Sequence, residues 1–440
     1  MLTISRFVHE KGHGLWHSLS RTCIPADEAT RAFIRQHRTL MMVPEQWVEV
    51  LGATTTSALL AADMLVDTTH DVRTITDVAQ QRSQIQGLYL LVSLNCNLDC
   101  GYCLYRASEG QALVATHGKR HMDPATAVLG VDCYVTTVAH NHRPEGYWQQ
   151  ITFYGGEPLL NVAAITAAVD RIHEHMDSGT LWDGTELVIN TNGVLLTDQM
   201  INYLVANNIQ VQISIDGFGP VHDRNRSTPA GVGSFEYVID TLDRLHRAGA
   251  LVCPMITVTD ANISELPGFT LWLCTTYGIT QYALSLLMSG TAATADSYPE
   301  RAAAAMLDSI TATATVGATD NGLASLVAGL HQPGPIARPS CGGGRKITVF
   351  PSGQLHTCQA LESSGISYVS ELPTFDTNAA TLRDWQARSR FRDNACLDCP
   401  ALGSCGGGCA AGSYHSNRAI QSIDPHSCRW TRELYALTSE

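Results

Sequence analysis

Hydrophobic and polar residues between about residue 87 and residue 330 alternate short apolar runs with longer stretches of helical periodicity. The apolar runs predict six strands, at residues 89–94, 150–154, 187–190, 211–215, 254–258 and 282–287. The amphipathic stretches between or after them predict helices at residues 162–175, 198–207, 235–248 and 300–312. Such alternation is typical of repeated βα units around a parallel sheet. Because six units are fewer than the eight of a closed barrel, we predict an α/β fold with a partial (β/α)6 TIM-like barrel.

The segments on either side of this region have different patterns. Residues 1–85 mix short apolar runs with predicted helices at residues 29–37 and 45–51, which indicates a small α+β N-terminal domain. Residues 331–344, HQPGPIARPSCGGG, are rich in proline and glycine and mark a boundary. The segment beyond is loop-rich and dense in cysteine. We therefore predict three domains, at residues 1–85, 86–330 and 331–440.

Composition and charge narrow the functional classes. Hydrophobic residues make up 45% of the 440 residues and charged residues 16%, which is typical of a globular chain. The formal net charge of −13 disfavours nucleic acid or an anionic membrane as a partner, because both attract basic surfaces. The sequence has neither the apolar stretch of a signal peptide nor a run of about 18 apolar residues that could span a membrane. We expect a cytoplasmic protein.

Fourteen cysteines in a chain of this length call for an explanation. Disulfide frameworks belong mostly to small secreted domains, whereas clusters of cysteines at short spacings are typical of metal sites. The run VSLNCNLDCGYC places Cys96, Cys100 and Cys103 directly after the first predicted barrel strand, where βα folds carry their active sites. Three thiolates can hold three irons of a cubane cluster and leave the fourth iron open. A structural zinc site is the alternative, but zinc takes four ligands and no fourth is local.

The spacing Cys96-x3-Cys100-x2-Cys103, with Tyr102 before the last cysteine, resembles the signature loop of the radical SAM superfamily. The resemblance implies that the open iron binds the amino and carboxylate groups of S-adenosylmethionine (SAM). It also implies that an electron from the reduced cluster cleaves SAM to methionine and a 5′-deoxyadenosyl radical. In such enzymes the cofactor carries out the chemistry, and the protein orients and shields it.

Further motifs follow at the ends of the next predicted strands. Gly155-Gly156-Glu157-Pro158 is similar to the family motif for the SAM amino group, and the later segments are similar to those that approach the ribose and the carboxylate. Each motif alone could be an ordinary turn, but their order behind the cysteine loop strengthens the resemblance. The SAM-binding residues that it implies are Tyr102, Gly155, Gly156, Glu157, Pro158, Asn192, Ser214, Asp216 and Arg226.

Seven more cysteines lie in the last hundred residues. An odd number cannot pair completely into disulfides, and one zinc site with spare thiols is the alternative reading. The spacing resembles the SPASM extension of radical SAM enzymes, which carries two auxiliary 4Fe–4S clusters and would bring the total to three. By position, the resemblance assigns one cluster to Cys341, Cys358 and Cys409, with its fourth ligand open. It assigns the other to Cys396, Cys399, Cys405 and Cys428.

The substrate follows from the resemblance alone, which covers about 350 of the 440 residues. SPASM enzymes mostly modify peptides, so we expect a ribosomally made precursor peptide that gains a cross-link or an oxidative modification. Sulfatase maturases carry an acidic base directly after the cysteine corresponding to Cys358; Gln359 stands there and disfavours formylglycine formation. The remaining alternatives are radical modification of a small molecule and a non-enzymatic iron–sulfur electron carrier. The catalytic base is not identified.

Two partners are expected besides the substrate. Residues 1–85 faintly resemble the winged-helix modules that bind a leader peptide, which would add a strand to a sheet containing residues 14–24. A plain extension that packs on the barrel is the alternative. The electron donor would be a protein such as flavodoxin or ferredoxin.

Overall fold

The structure of the chain is a computed structural model. It describes residues 1–80, 84–103, 105, 119–290, 292, 294–334, 336–337, 341–361 and 364–439, with only the backbone for residues 77–80 and 321. No helix in this described part is long and apolar enough to cross a membrane.

Fourteen strands are formed by the described residues. They are β1 (Leu2–Ile4), β2 (Val8–Lys11), β3 (Gly14–His17), β4 (Thr22–Pro25), β5 (Leu65–Asp67), β6 (Gly87–Ser93), β7 (Gln150–Gly155), β8 (Glu186–Thr191), β9 (Ile209–Ser214), β10 (Val252–Val258), β11 (Ala283–Leu286), β12 (Lys346–Val349), β13 (Gln354–His356) and β14 (Tyr368–Glu371).

The α-helices within the described ranges are numbered in chain order. They are α1 (Glu28–Gln36), α2 (Pro44–Leu51), α3 (Ala53–Ala61), α4 (His70–Gln80), α5 (Pro124–Val138), α6 (Val162–Asp177), α7 (Asp198–Ala206), α8 (Gly219–Asn225), α9 (Phe235–Arg247), α10 (Leu266–Tyr277), α11 (Tyr298–Ala314), α12 (Asn321–Gly329), α13 (Ala380–Gln386), α14 (Asn394–Leu397), α15 (Ala410–Asn417) and α16 (Pro425–Leu437). Two short 3₁₀ helices lie at Pro158–Asn161 and Arg390–Arg392.

A nine-stranded sheet forms the centre of the larger part of the chain, in the order β11-β10-β9-β8-β7-β6-β12-β13-β14. Strands β6 to β11 are parallel and neighbour one another in chain order. This arrangement is a mixed α/β fold with a mostly parallel central sheet, consistent with a partial barrel. All six predicted strands are present, and their ends differ from the predicted ones by at most two residues.

The two faces of the barrel strands have different surroundings. On β6, Leu88, Leu90 and Val92 are fully buried, and Leu90 lies against Gly130 of α5. Helices that cover this face account for its apolar residues. The alternate face is more polar and carries Tyr89, whose ring lies edge-on to Tyr154 of β7 with centroids 5.6 Å apart.

The helices around the sheet show the expected amphipathic spacing. On α9 the buried residues are Val238, Thr241, Leu242 and Leu245, which recur every three or four positions and so share one face. The last turn of α9 carries basic residues, whose positive charge interacts favourably with the negative end of the helix dipole. Periodicity therefore predicts this helix almost to its ends.

The chain folds into two compact units that differ from the three predicted domains. One comprises residues 83–321 and 342–386, and the other comprises residues 1–82, 322–341 and 387–440. Residues 342–386 join the first unit because β12 pairs in parallel with β6, from Lys346 opposite Gly87 to Val349 opposite Leu90. The functional roles of the three predicted domains remain predictions.

The second unit contains a three-stranded antiparallel sheet, β2-β3-β4, which includes the strands expected within residues 14–24. One face of this sheet packs into a core with helices α1 to α3 that includes Leu15, Ile34 and Trp47. Toward the C-terminal residues, Trp16 Nε1 donates to the carbonyl oxygen of Pro400 at 2.8 Å. Nearby, an apolar cluster joins the N-terminal and C-terminal segments through Phe7, Leu19, Phe391, Leu397 and Leu402.

Candidate active site

The first cysteine loop opens onto a cavity of about 300 Å³ at the carboxyl ends of the barrel strands. Cys96, Cys100 and Cys103 all line this cavity, as their position after the first barrel strand predicts. The backbone turns tightly here, because Cys103 N–H donates to the carbonyl of Cys100 at 3.1 Å. The N–H of Leu98 points at Cys96 Sγ, 3.4 Å away. The loop thus presents three sulfur atoms to one space.

The protonation of these thiols indicates what they need as a partner. Loss of water raises the pKa of Cys96 to about 12 and also raises the pKa of Cys100. Ligation by a metal ion deprotonates a thiol outright, so a metal supplies the positive charge that these sites lack. Three convergent thiols beside an open cavity therefore fit a cluster with one exchangeable corner.

The glycines of Gly155-Gly156-Glu157-Pro158 allow the second strand end to touch the cysteine loop. Gly155 has φ +139°, and a Cβ there would lie 2.0 Å from the carbonyl oxygen of Ser93. A Cβ on Gly156 would lie 2.4 Å from the carbonyl oxygen of Asn95. In this close approach Gly156 N–H donates to Ser93 O at 2.8 Å. Only glycine fits such an approach of two backbones, and both glycines line the cavity.

Glu157 is fully buried and connects two strand ends. Its carboxylate accepts from Thr191 Oγ1 at 2.7 Å, from Asn192 N–H at 2.9 Å and from Leu159 N–H at 3.1 Å. Burial raises the pKa of Glu157 to about 7, although these donors oppose the shift. Glu157 therefore positions the loops around the cavity from behind, since it does not itself line the cavity.

Asn192 connects the third strand end to the cysteine loop. Its side-chain Nδ2 donates to Asn97 Oδ1 at 2.8 Å and lies 3.7 Å from Cys96 Sγ. Its Oδ1 accepts from Val194 N–H at 3.0 Å, which fixes the orientation of the amide. The side chain therefore braces the loop and lines the cavity.

A buried ion pair lies just beyond the carboxyl end of β9, the fourth barrel strand. Asp216 has no exposed surface, and Arg226 donates to it from Nε at 2.9 Å and from Nη2 at 3.2 Å. Tyr102 OH donates to the same carboxylate, and Thr257 N–H donates to it at 3.0 Å. Burial alone would lower the pKa of Arg226, but Asp216 and the nearby Tyr102 and Cys100 raise it overall. The guanidinium therefore stays charged beside the cysteine loop.

His222 supports this pair from outside the cavity. It is fully buried, its Nδ1 accepts from Asp216 N–H at 3.2 Å, and its Nε2 lies 2.9 Å from Ser234 Oγ. Burial lowers the pKa of His222 to about 4, so the ring is neutral at physiological pH. A neutral imidazole that accepts on Nδ1 fits a positioning role.

The structure thus divides the sequence-predicted SAM residues into two groups. Those that line the cavity are Tyr102, Gly155, Gly156, Asn192, Ser214 and Arg226. Those that do not line it are Glu157, Pro158 and Asp216. Pro158 is buried at the start of a 3₁₀ helix, and the other two hold lining residues in place.

Sequence reasoning did not single out several lining residues on the barrel strands. Tyr154, Met255, Thr257 and Ser285 all line the cavity. Each lies on a predicted strand, and alternation along the strands places them on one face. That alternation is the signal that could have found them, since Thr257 pairs with Ser285 across β10 and β11.

A second cavity, of about 80 Å³, lies in the smaller unit. Four cysteines predicted to act together line it: Cys396, Cys399, Cys405 and Cys428. Burial raises the pKa of Cys396 to about 12, with smaller contributions from Asp393 and the other three thiols. The convergence of four thiols around a cavity fits a cluster, because a cubane binds each thiolate through its own iron atom.

The other predicted auxiliary cluster would be held by Cys341, Cys358 and Cys409. Cys341 and Cys409 belong to one compact unit and Cys358 to the other, so this ligand set remains a prediction. Cys358 is buried, and Ala360 N–H points at its sulfur, 3.4 Å away. Among the described residues, no three His, Cys, Asp or Glu side chains converge closely enough to hold a single metal ion.

Comparison with known proteins gives the class of this site. Residues 90–269 match the family model of the radical SAM superfamily. The chain is 30% identical over 172 residues to the serine-type anaerobic sulfatase-maturating enzyme of Bacteroides thetaiotaomicron, which covers 39% of each chain. It is 28% identical over 180 residues to the radical SAM cyclopropyl synthase TigE of Paramaledivibacter caminithermalis, covering 40% of this chain and 36% of TigE. These alignments span well under half the length of either relative.

Solved structures share the fold. Native anSMEcpe with bound AdoMet superposes with a TM-score of 0.65 at 14% identity, over 80% of this chain and 96% of that chain. Streptococcus suis SuiB bound to precursor peptide SuiA superposes with a TM-score of 0.54 at 13% identity, over 97% of this chain and 100% of that chain. At these identities the likeness concerns the fold alone.

The parallel sheet, the cysteine-lined cavity and the family match agree with one another. The match to the radical SAM family model extends over residues 90–269, the part of the chain that contributes most of this cavity. The three cysteines, the two glycines and Arg226 that line the cavity fit the SAM and 4Fe–4S cluster of that family.

Proposed function

We propose that the chain is a radical SAM enzyme with auxiliary iron–sulfur clusters that modifies a ribosomally made peptide. The observation that carries the first part is that Cys96, Cys100 and Cys103 share one cavity with Gly156 and Arg226. The three cysteines would hold a 4Fe–4S cluster, which would supply the electron for cleavage of SAM to methionine and a 5′-deoxyadenosyl radical. Hydrogen abstraction from the peptide by that radical would begin the modification.

The lining residues have separate tasks in this proposal. The backbone edge at Gly155 and Gly156 would accept from the SAM amino group, because the absence of side chains leaves the carbonyl groups accessible. Arg226, held by Asp216, would bind the SAM carboxylate through its planar fork. Ser214 and Asn192 offer polar groups to the ribose hydroxyls. Together they orient SAM before any bond breaks.

The auxiliary clusters belong to the proposal as well. The cavity in the smaller unit supports a SPASM-type cluster at Cys396, Cys399, Cys405 and Cys428. Cys341, Cys358 and Cys409 would hold a second, with a fourth ligand still to be identified. A small redox protein such as flavodoxin or ferredoxin would supply electrons in the cytoplasm.

The peptide substrate has support from two directions. Fold neighbours include anSMEcpe with AdoMet and the Kp18Cys peptide, and SuiB with the precursor peptide SuiA. Within this chain, β4 (Thr22–Pro25) is a terminal strand of the three-stranded sheet, and among the described residues no strand pairs with its outer edge, where a peptide strand could add. We therefore propose that residues 1–85 bind the leader of the precursor.

Sulfatase-maturase chemistry is the second candidate, favoured by the similarity to the Bacteroides enzyme. The contacts of Gln359 argue for the first candidate. Lys346 Nζ donates to Gln359 Oε1 at 2.7 Å and lies 4.0 Å from the centre of the Tyr89 ring. The residue directly after Cys358 is therefore a neutral amide that contacts a lysine, where the sulfatase maturases carry an acidic base.

The experiment that separates these candidates uses the reconstituted full chain with SAM, a strong reductant and a deuterated precursor peptide encoded by a neighbouring reading frame. Deuterium in 5′-deoxyadenosine, with loss of two hydrogens from the peptide and no aldehyde, supports a cross-link. A product that reacts with hydrazide supports formylglycine formation. SAM cleavage with no transfer of deuterium from any such peptide contradicts the peptide substrate.

A further inference from the structure

The cavity lined by Cys396, Cys399, Cys405 and Cys428 is also lined by three arginines, Arg388, Arg390 and Arg432. Arg390 is half-buried, and it donates from Nε to Leu402 O at 2.8 Å and from Nη2 to Ala337 O at 2.8 Å. Its guanidinium also lies 4.8 Å from the centre of the Phe391 ring. These contacts fix the side chain toward the cysteines.

The charge of Arg390 has no acidic partner in the part of the chain that the structure describes. Both hydrogen-bond acceptors are neutral carbonyl groups, and Asp393, which also lines the cavity, accepts instead from Ala395 N–H at 2.8 Å. A guanidinium that loses part of its hydration without a counter-ion is destabilised unless an anion is supplied. Cys396 and Cys405 line the same cavity, and their thiolates would supply negative charge when they bind a cluster.

We propose that Arg390 is the positioning residue that offsets the negative charge of the auxiliary cluster at these four cysteines and raises its reduction potential. This inference rests on the proposed cluster. Four thiolates give the site a net negative charge, and reduction adds one more. A fixed positive charge therefore stabilises the reduced form more than the oxidised form.

A purely structural role for Arg390 is the competing explanation, because it ties residue 402 to residue 337. Such a brace could affect stability or iron content but would not move the potential of a loaded cluster. Charge and bracing are separable: Arg390→Gln removes the charge, whereas Arg390→Lys keeps it and loses the two-point contact. Arg392→Gln is the matched control, because Arg392 lies in the same short helix but is exposed and does not line the cavity.

The test is a redox titration followed by electron paramagnetic resonance on the full chain. The background carries Cys100→Ala and Cys358→Ala, so that the cluster at Cys396, Cys399, Cys405 and Cys428 gives the remaining signal. At the parent's midpoint potential, Arg390→Gln should lower the ratio of reduced to oxidised cluster about tenfold, equivalent to about 59 mV for one electron. Arg392→Gln and Arg390→Lys should leave the ratio near that of the parent.

A loaded Arg390→Gln variant with the ratio of Arg392→Gln would overturn the inference. If Arg390→Gln holds no iron, Arg390→Lys decides: a loaded cluster with the parent's ratio supports the role of charge. Loss of iron from both variants indicates a brace and contradicts the inference. A loaded Arg390→Lys cluster with a lowered ratio also contradicts it, because the positive charge is still present. If the background protein itself binds no iron at the four cysteines, it is the proposed auxiliary cluster that fails.

Discussion

Arg226 donates to both carboxylate oxygens of Asp216, from Nε at 2.9 Å and from Nη2 at 3.2 Å, and the carboxylate has no exposed surface. The pair lies near the end of the fourth barrel strand, and of its two members Arg226 lines the cavity whereas Asp216 does not. Asp216 therefore acts through Arg226, which it holds at the edge of the site.

Replacing Asp216 with Asn should therefore weaken both the fold and the binding of SAM. Removing one partner of a buried ion pair costs about 3–5 kcal/mol, because the other charge stays buried without compensation. Urea unfolding measures this loss, and calorimetry measures SAM affinity. Asp240→Asn is the control, since its pair with Arg244 is exposed and should contribute less than about 1 kcal/mol. Equal effects of the two substitutions would contradict the role assigned to Asp216.

Replacing Gly156 with Ala should abolish SAM binding. The added Cβ would lie 2.4 Å from Asn95 O and 2.7 Å from its carbonyl carbon, both backbone atoms that cannot rotate away. The cysteine loop must then move away from the second strand end. Gly101→Ala is the matched control, because nothing lies within 4 Å of a Cβ there although it is in the same loop. SAM affinity near that of the wild type in the Gly156 variant would show that the two backbones need not approach so closely.

The dependence of stability on pH should reveal Glu157. Its pKa rises from 4.5 in the unfolded chain to about 7 in the folded chain, so the folded state binds the proton more tightly. The stabilisation of the folded state by protonated Glu157 is therefore fully present below pH 4.5 and is lost as the pH rises through about 7. The free energy of unfolding changes by about 3 kcal/mol over this interval. The free energy of unfolding of Glu157→Gln should therefore increase relative to that of the wild type as the pH rises over that interval. A difference that does not change between pH 5 and pH 8 would contradict the shift.

Replacing Gly403 with Ala should loosen the N-terminal sheet. Gly403 N–H donates to Ser18 O at 2.8 Å, and a Cβ would lie 2.4 Å from that oxygen and 2.7 Å from Leu19 O. Amide hydrogen exchange of residues 14–25 should become faster, while SAM affinity stays unchanged. Gly268→Ala serves as the control, because a Cβ there meets nothing within 4 Å. Unchanged exchange in the Gly403 variant would indicate that the cysteine-rich loop does not hold this sheet.

The barrel could be predicted because its signals are local. Alternating apolar runs and helical periodicity gave all six parallel strands, since burial against helices determines composition strand by strand. Strand β12 was missed because Lys346–Val349 is short, follows a glycine-rich run and pairs with β6, which lies far away in sequence. Such a pairing leaves no periodic trace in the sequence.

The sequence predicts which residues belong to the site but not how deeply each of them is buried. Cysteine spacing, read through the family resemblance, brought together the three and the four cysteines that line the two cavities. Whether Glu157 and Asp216 touch the ligand or support its neighbours depends on burial, which a turn motif does not encode. The guanidinium of Arg390 was missed for the same reason, because its contacts are with backbone carbonyls distant in sequence.

The central claim is that Cys96, Cys100 and Cys103 hold a cluster that cleaves SAM. The most direct test is the yield of 5′-deoxyadenosine from anaerobically reconstituted protein with SAM and dithionite. The wild type should form it and carry about twelve irons per chain, four for each of three clusters. Cys23→Ala, which removes an isolated exposed cysteine, should behave like the wild type, and Cys100→Ala should form none. Undiminished 5′-deoxyadenosine from Cys100→Ala, or none from iron-loaded wild type, would contradict the account.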